Sequence, residues 1–458
     1  MTGRPRDRTH HAYIRGERAS GRFARVDSRV VIFGSLFLVA AVLVVLAAAE
    51  GSPDDALATT VESSEQDGAP VVAGTGPTGD GGAVAGDDAA VAGDTAGATI
   101  PSTTTSTTTT TTTTLPLVPD DGKTSSERRL VDAFTVWDDD LQPKSIVASG
   151  DGLFFAQNMM YRHNVAIYDR SGNEVAVIPD EVDLSAFGIA GGGTAQGSPV
   201  EAAFTPDGRF VYVSNYKMFG DGYNPVADDD CDRGDWDDSF VYKIDVGRFE
   251  IVEVIPTGAV PKYLAVSPDG SRLVVSNWCG FDVSVIDTTS DSELGRVDVG
   301  RHPRGVAITS DSRFAYVTVM GEARIDVVDL QSLNVVNSID DAAGTTPRHI
   351  LLSDDDRYLY VSNHRMNSVR KIDLSVGAVD GIASTGTQTR TMALADDGES
   401  LYVVNYQDGT VSKVRTSDME ILQTVYSGVR PVGITYDPET RQVWVANYAG
   451  SLRVFNDE

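Results

Sequence analysis

The chain has 458 residues and a formal net charge of −29, which argues against broad electrostatic capture of nucleic acid or anionic lipid by its main body. Apolar residues at 41% and charged residues at 22% are globular averages, so the chain is neither disordered throughout nor polytopic. Two cysteines cannot build a small disulfide scaffold or a four-cysteine zinc site.

Residues 1–29 carry eight arginines against Asp7, Glu17 and Asp27. Val30 to Ala49 follows without a charge, twenty residues that as a helix would span the ~30 Å hydrocarbon layer. No Lys or Arg occurs from Val30 to Gly122, so the pattern predicts a single-pass signal-anchor with the N-terminus cytoplasmic and the rest outside. A signal peptide cleaved after Ala47-Ala48-Ala49 is the alternative, and it leads to the same compartment. Residues 50–120 are Gly, Ala, Asp, Thr and Ser, with a Thr-rich run from Thr103 to Thr114. Such a stretch buries too little apolar surface to offset its ordering entropy, so it is expected to be a disordered tether. Its composition resembles that of O-glycosylated stalks.

From residue 121 the chain repeats. The segments FAQN, YVSN, VVSN, YVTV, YVSN, YVVN and WVAN end at Asn158, Asn215, Asn277, Val319, Asn363, Asn405 and Asn447, with spacings of 57, 62, 42, 44, 42 and 42. Each unit reads as four short β-branched runs separated by turn residues, and no amphipathic helix intervenes. Four antiparallel strands in 42 residues make one propeller blade. A second mark, an apolar residue followed by Asp, closes the third run at Asp169, Asp245, Asp287, Asp329 and Asp373. The expected class is therefore all-β, a seven-bladed β-propeller over 121–458 behind a transmembrane helix and a disordered linker. The last unit stops after its third run, and Leu130 to Val136 matches the missing fourth, which should join the last blade and cover its edge.

These tetrapeptides resemble the YVTN family of β-propeller repeat proteins over about residues 128–458. The resemblance implies the fold and says little about chemistry.

Alternation of strand direction places the start of each first strand and the end of each second on one face of the ring. At the start of the first strand the seven units carry Lys144, Val200, Lys262, Arg304, Arg348, Arg390 and Val432. Five of these are basic in an acidic protein, and the first strand of a blade is innermost. They are expected to form an anion-binding mouth, with His302 and His349 as further donors; pairing with blade-edge carboxylates is the plainer alternative. The insertion after the second YVSN carries Asp228, Asp230, Asp232 and Asp235, with Asp221, Asp237 and Asp238 beside them. These are the hard oxygen ligands calcium prefers. They resemble metal-binding repeats of some secreted proteins but depart from an EF-hand, since Arg233 stands where glycine is needed. The other reading is a solvated acidic loop. Cys231 in this insertion and Cys279 in the corresponding loop of the next blade are expected to pair in an oxidising compartment. His163 and His364, just after second strands, read as plain surface residues or as haem or metal ligands, the latter implied by the repeat family's distant resemblance to the haem-binding propeller domain of nitrite reductases, although no C-x-x-C-H motif is present.

These features favour a non-enzymatic, extracytoplasmic binding module whose partner is a surface ligand, a glycan or an envelope protein, with no nucleic acid partner and calcium as the candidate cofactor. No nucleophile elbow, P-loop or zinc-protease motif is present, and no residue is assigned a catalytic role. The rival reading is a hydrolase of sugar acids, because seven-bladed relatives include lactonases resembling phosphogluconolactonase. A lactonase of a phosphorylated central metabolite belongs in the cytoplasm, whereas this domain is expected outside.

Overall fold

The runs FVYVSN, RLVVSN and YLYVSN are rich in β-branched and aromatic residues that fit a pleat, and all but their first residues are buried. Such runs cannot face water on either side, so each must lie between neighbouring strands and between neighbouring sheets. A computed structural model of the protein describes residues 118–138, 141–159, 161–223 and 231–458. The expected cytoplasmic tail and membrane segment, the linker up to residue 117, and Asp228 and Asp230 lie outside the described residues. Among the described residues, no helix is long and apolar enough to cross a membrane.

Among the described residues the strands form seven four-stranded antiparallel sheets and one small three-stranded sheet. The first sheet is Ser145–Ala148, Leu153–Asn158, Asn164–Asp169 and Glu174–Pro179. The second contains Pro199–Phe204, Phe210–Asn215, Asp238–Asp245 and Glu250–Ala259. The third to sixth begin at Pro261, Pro303, Pro347 and Thr389, each running through four consecutive strands. The seventh takes Pro431–Asp437, Gln442–Asn447 and Ser451–Asp457 from the C-terminal end. Its fourth strand is Leu130–Trp137, which pairs antiparallel with Ser451–Asp457 in the place the truncated last repeat leaves open. The inner strand of each sheet packs on that of the next, and that of the seventh on that of the first. This closed circuit of repeated sheets is a β-propeller-like fold.

The core is distributed between sheets rather than gathered at one centre. Where the first and seventh sheets meet, Phe154 stacks on Trp444 with ring centroids 4.0 Å apart, and Phe134 of the closing strand meets Trp444 edge-on at 5.5 Å. The aspartates ending the third strands cap the turns that follow. Asp287 accepts from the amides of Thr289 and Ser290, and Asp329 from those of Gln331 and Ser332. The small extra sheet, Glu181–Asp183, Thr194–Gln196 and Phe219–Gly220, is built from the two long connections around the second sheet.

Candidate functional site

Lys262, Arg304, Arg348 and Arg390 sit one place after the residue that opens their inner strands, Lys144 just before its own, and the ladder is irregular at this position in six of the seven sheets. In the third sheet Pro261 pairs with Asn277 and Tyr263 with Ser276, leaving Lys262 as the extra residue of a bulge. Equivalent bulges hold Val200, Arg304, Arg348, Arg390 and Val432. A bulge takes a side chain out of the alternation of its strand and re-aims it, here toward the centre of the ring. Hydroxyls of one sheet fasten the bulge of the next: Ser145 Oγ donates to the Val200 carbonyl at 2.8 Å, Ser276 Oγ to that of Arg304 at 2.6 Å, Thr318 Oγ1 to that of Arg348 at 3.1 Å and Thr391 Oγ1 to that of Val432 at 2.7 Å.

The result is one small cavity of about 20 Å³ lined by Lys144, Lys262, Arg304, Arg348 and Arg390 together with Glu201, Tyr263, His349, Thr391, Val200 and Val432. Five cations from five sheets thus converge around space for about one water molecule. Several lean on aromatic faces: the Lys262 ammonium lies 4.4 Å from the ring centre of Tyr216, the Arg390 guanidinium 3.6 Å from that of Tyr406, and Arg304 5.7 Å from that of Trp278. His349 Nε2 is 3.0 Å from the Tyr263 hydroxyl. Burial, helped by the charges of Arg304 and Arg348, pushes the His349 pKa down to about 3, so the ring is neutral there. Burial pushes Glu201 up to about 8, against the opposing influence of the Ser145 hydroxyl, the Ala202 amide and, least, the charge of Arg304.

His302 does not line this cavity. Its ring lies flat on Trp278, with centroids 4.3 Å apart and planes 5° from parallel. The tip asparagines are not part of a binding face either. Asn158, Asn363, Asn405 and Asn447 are fully buried, and their amide oxygens accept from Gln142 N, Thr346 N, Gly386 N and Ser427 Oγ of the loops entering their own sheets. They hold those loops, and with them the bulges, in place. The repeated tetrapeptide is thus a structural lock. Glu201, Tyr263 and Thr391 were not anticipated as site residues; their signal was available, since each follows directly on a ring position.

The other candidates are dispersed. Cys231 and Cys279 form a disulfide with Cα atoms 5.7 Å apart. Asp232 is exposed and pairs with Arg301 at 3.0 Å, while Asp235 Oδ2 accepts from the Asp232 amide. Among the described residues, no group of three or more His, Cys, Asp and Glu side chains could hold a metal. His163 Nδ1 lies 2.9 Å from the Gly197 carbonyl, and His364, 1% exposed, has Nδ1 3.4 Å from the Thr389 carbonyl, so each meets backbone.

The neutral histidines predict a pH dependence. The His364 pKa is depressed to about 2 by burial and by Arg348 and Arg390. A histidine so depressed contributes stability fully above its unfolded value near 6.5, and that stability is lost as pH falls toward the folded value. Between pH 6 and pH 5 the unfolding free energy of the His364→Asn variant should therefore fall by roughly 1 kcal/mol less than that of the wild type in denaturant titrations. Equal slopes would mean that the folded protein protonates this ring as readily as the unfolded chain.

Comparison with known proteins agrees with this architecture. The family described as Choice-of-anchor I domain matches residues 239–406, from the third strand of the second sheet into the sixth. Antigen Lp49 of Leptospira interrogans serogroup Icterohaemorrhagiae serovar copenhageni is 25% identical over 125 residues, which are 26% of this chain. The match spans 27% of the antigen's own length. The hydrazine synthase of Kuenenia stuttgartiensis superposes with a TM-score of 0.55 at 19% identity, over 70% of this chain and 96% of that one. At that identity the likeness is one of fold, and it accords with a repeated four-stranded, propeller-like architecture.

Proposed function

We propose that the protein is a seven-bladed β-propeller of the YVTN repeat type, held outside the cytoplasm by residues 30–49, which binds the acid group of a surface ligand at the centre of its ring without transforming it. The convergence of Lys144, Lys262, Arg304, Arg348 and Arg390 on one cavity carries the binding reading. With space for about one water, the ring grips an anionic head group at its rim and leaves the remainder of the ligand outside. The disulfide fits an oxidising compartment, and the likeness to a choice-of-anchor domain and to a leptospiral antigen supports a surface setting.

Calorimetric titration of the full-length protein with inorganic phosphate and with a uronic acid tests this reading. Binding that weakens with salt is expected, and the triple variant K262A/R304A/R348A should bind at least a hundredfold more weakly, since each charge-assisted hydrogen bond contributes about 1.5–3 kcal/mol. Identical affinities would dismiss the ring as a site.

One observation favours a second reading, hydrolysis of a sugar-acid lactone. Glu201, held protonated at neutral pH, lies in the cavity among cations and has the character of a general acid for a leaving alkoxide. Turnover of a lactone panel that disappears in Glu201→Gln would favour it; no turnover leaves Glu201 as a polar wall of the binding site.

A further inference from the structure

The locking scheme of the tip asparagines loses its acceptor half in the third sheet, where Asn277 Oδ1 has no partner, and fails at both atoms in the second. In the first, third, fifth, sixth and seventh sheets the asparagine Nδ2 donates to a neighbouring oxygen, as Asn277 does to Asp282 Oδ1 at 2.7 Å and Asn405 to Ser412 Oγ at 2.9 Å. Asn215 is fully buried, yet neither its Oδ1 nor its Nδ2 has a hydrogen-bond partner. The same is true of both carboxyl oxygens of Asp180, which is 2% exposed. These two defects coincide in space. Gly197 lies against both side chains, and a Cβ there would fall 2.3 Å from Asn215 Oδ1 and 2.7 Å from Asp180 Oδ1.

The backbone around them is fixed. Asp180 N donates to the His163 carbonyl at 3.0 Å, Gly197 N to the Asp180 carbonyl at 2.7 Å, and Tyr216 N to the Ser198 carbonyl at 2.7 Å. The Tyr242 hydroxyl reaches toward the Asp180 carboxyl without completing a well-aligned hydrogen bond, and the Met218 sulfur is 4.0 Å from that hydroxyl. A carboxylate and an amide oxygen buried side by side without hydrogen bonds are costly unless a positive charge joins them. Two carboxylate oxygens and an amide oxygen are ligands of the kind a hard cation takes, with carbonyls and water completing a coordination shell of about six to eight oxygens.

We propose that Asp180 and Asn215 bind a hard cation of the calcium type where the small extra sheet joins the ring. Neither Asp180 nor Asn215 belongs to the acidic run Asp228–Asp235, and neither lines the cationic cavity. The cation would tie the two connections that frame the second sheet, one ending at Gly197 and the other starting after Asn215.

The full-length protein, stripped with chelator, is titrated with calcium while thermal unfolding is followed, and separately with terbium while its luminescence is excited through tyrosine. The expected results are a calcium-dependent rise in midpoint and a terbium emission that calcium displaces. Both should vanish in Asp180→Asn and persist in D228A/D230A/D232A. Asn215→Asp adds a carboxylate and should tighten calcium at least tenfold, which keeps the test decisive if Asp180→Asn folds poorly. A midpoint shift that survives Asp180→Asn, or that is lost in the acidic-run variant, would overturn the assignment. So would a wild type indifferent to calcium, which would mean that the Asp180 carboxyl is accommodated by a proton or by water alone.

Discussion

Removal of residues 128–137 should abolish cooperative unfolding at the wild-type midpoint, leaving a chain whose sixth and seventh sheets open first. Leu130 is buried in the core those two sheets share, and Gln423 of the sixth sheet bonds both its amide and its carbonyl, at 2.8 and 3.0 Å. Upstream, Ser125 donates through its amide and hydroxyl to Asp397 at 2.6 and 2.7 Å. Arg128 offers its carbonyl to Lys413 Nζ at 3.1 Å, and that ammonium is ion-paired with Asp457, both side chains being wholly buried. Losing the strand therefore exposes an apolar sheet edge and strips a buried ion pair of one of its partners. The cost is on the order of the whole 5–15 kcal/mol by which a domain is stable. Two point variants dissect it by chemical denaturation: Leu130→Ala should cost about 2–5 kcal/mol, and Lys413→Met about 3–5 kcal/mol by leaving Asp457 charged and unpaired. If the deletion unfolds as the wild type does, the closing strand is dispensable.

Replacing both cysteines by serine should destabilise the protein by about 4 kcal/mol, the chain-entropy value for a bond across 48 residues. The loss is expected to reach the cavity as well. Cys231 and Cys279 pack in one cluster with Val260 and Trp278, and Trp278 presents its ring to Lys262 and Arg304. Calorimetric titration of the double serine variant should show phosphate binding several-fold weaker, with the K262A/R304A/R348A variant as the lower limit. Unchanged stability after reduction would show that the cluster holds the insertion without the covalent bond.

The fold was legible in this chain because its signal is periodic: a 42-residue repeat, read twice through the tip asparagines and the capping aspartates, fixes where the strands lie. The position of the ring residues was legible for the same reason, since five basic residues at one repeat position must come together if the repeats close. What was not legible was the direction of individual side chains. Strict alternation would assign the residues after Lys262 and Val200 to the opposite face, yet Tyr263 and Glu201 reach the same cavity because the ladder slips there. Likewise, an asparagine at a strand end reads as an exposed polar tip. Only the close approach of Gly344, Gly386 and Gly428 to Asn363, Asn405 and Asn447 shows that each is walled in. Asp180 carries no periodic signal, because it stands where an insertion interrupts the repeat.

The bulges also determine how the ring can change over time. Because the residue at each bulge is outside the ladder register, its identity is uncoupled from strand pairing, and the second and seventh sheets bear this out. They carry Val200 and Val432 on bulges like those that present Lys262 and Arg304 elsewhere. Selection can therefore exchange one blade's contribution to the cavity without retuning the blade. Six positions then behave as independent letters, and the recognised chemistry can drift letter by letter while the scaffold stays intact.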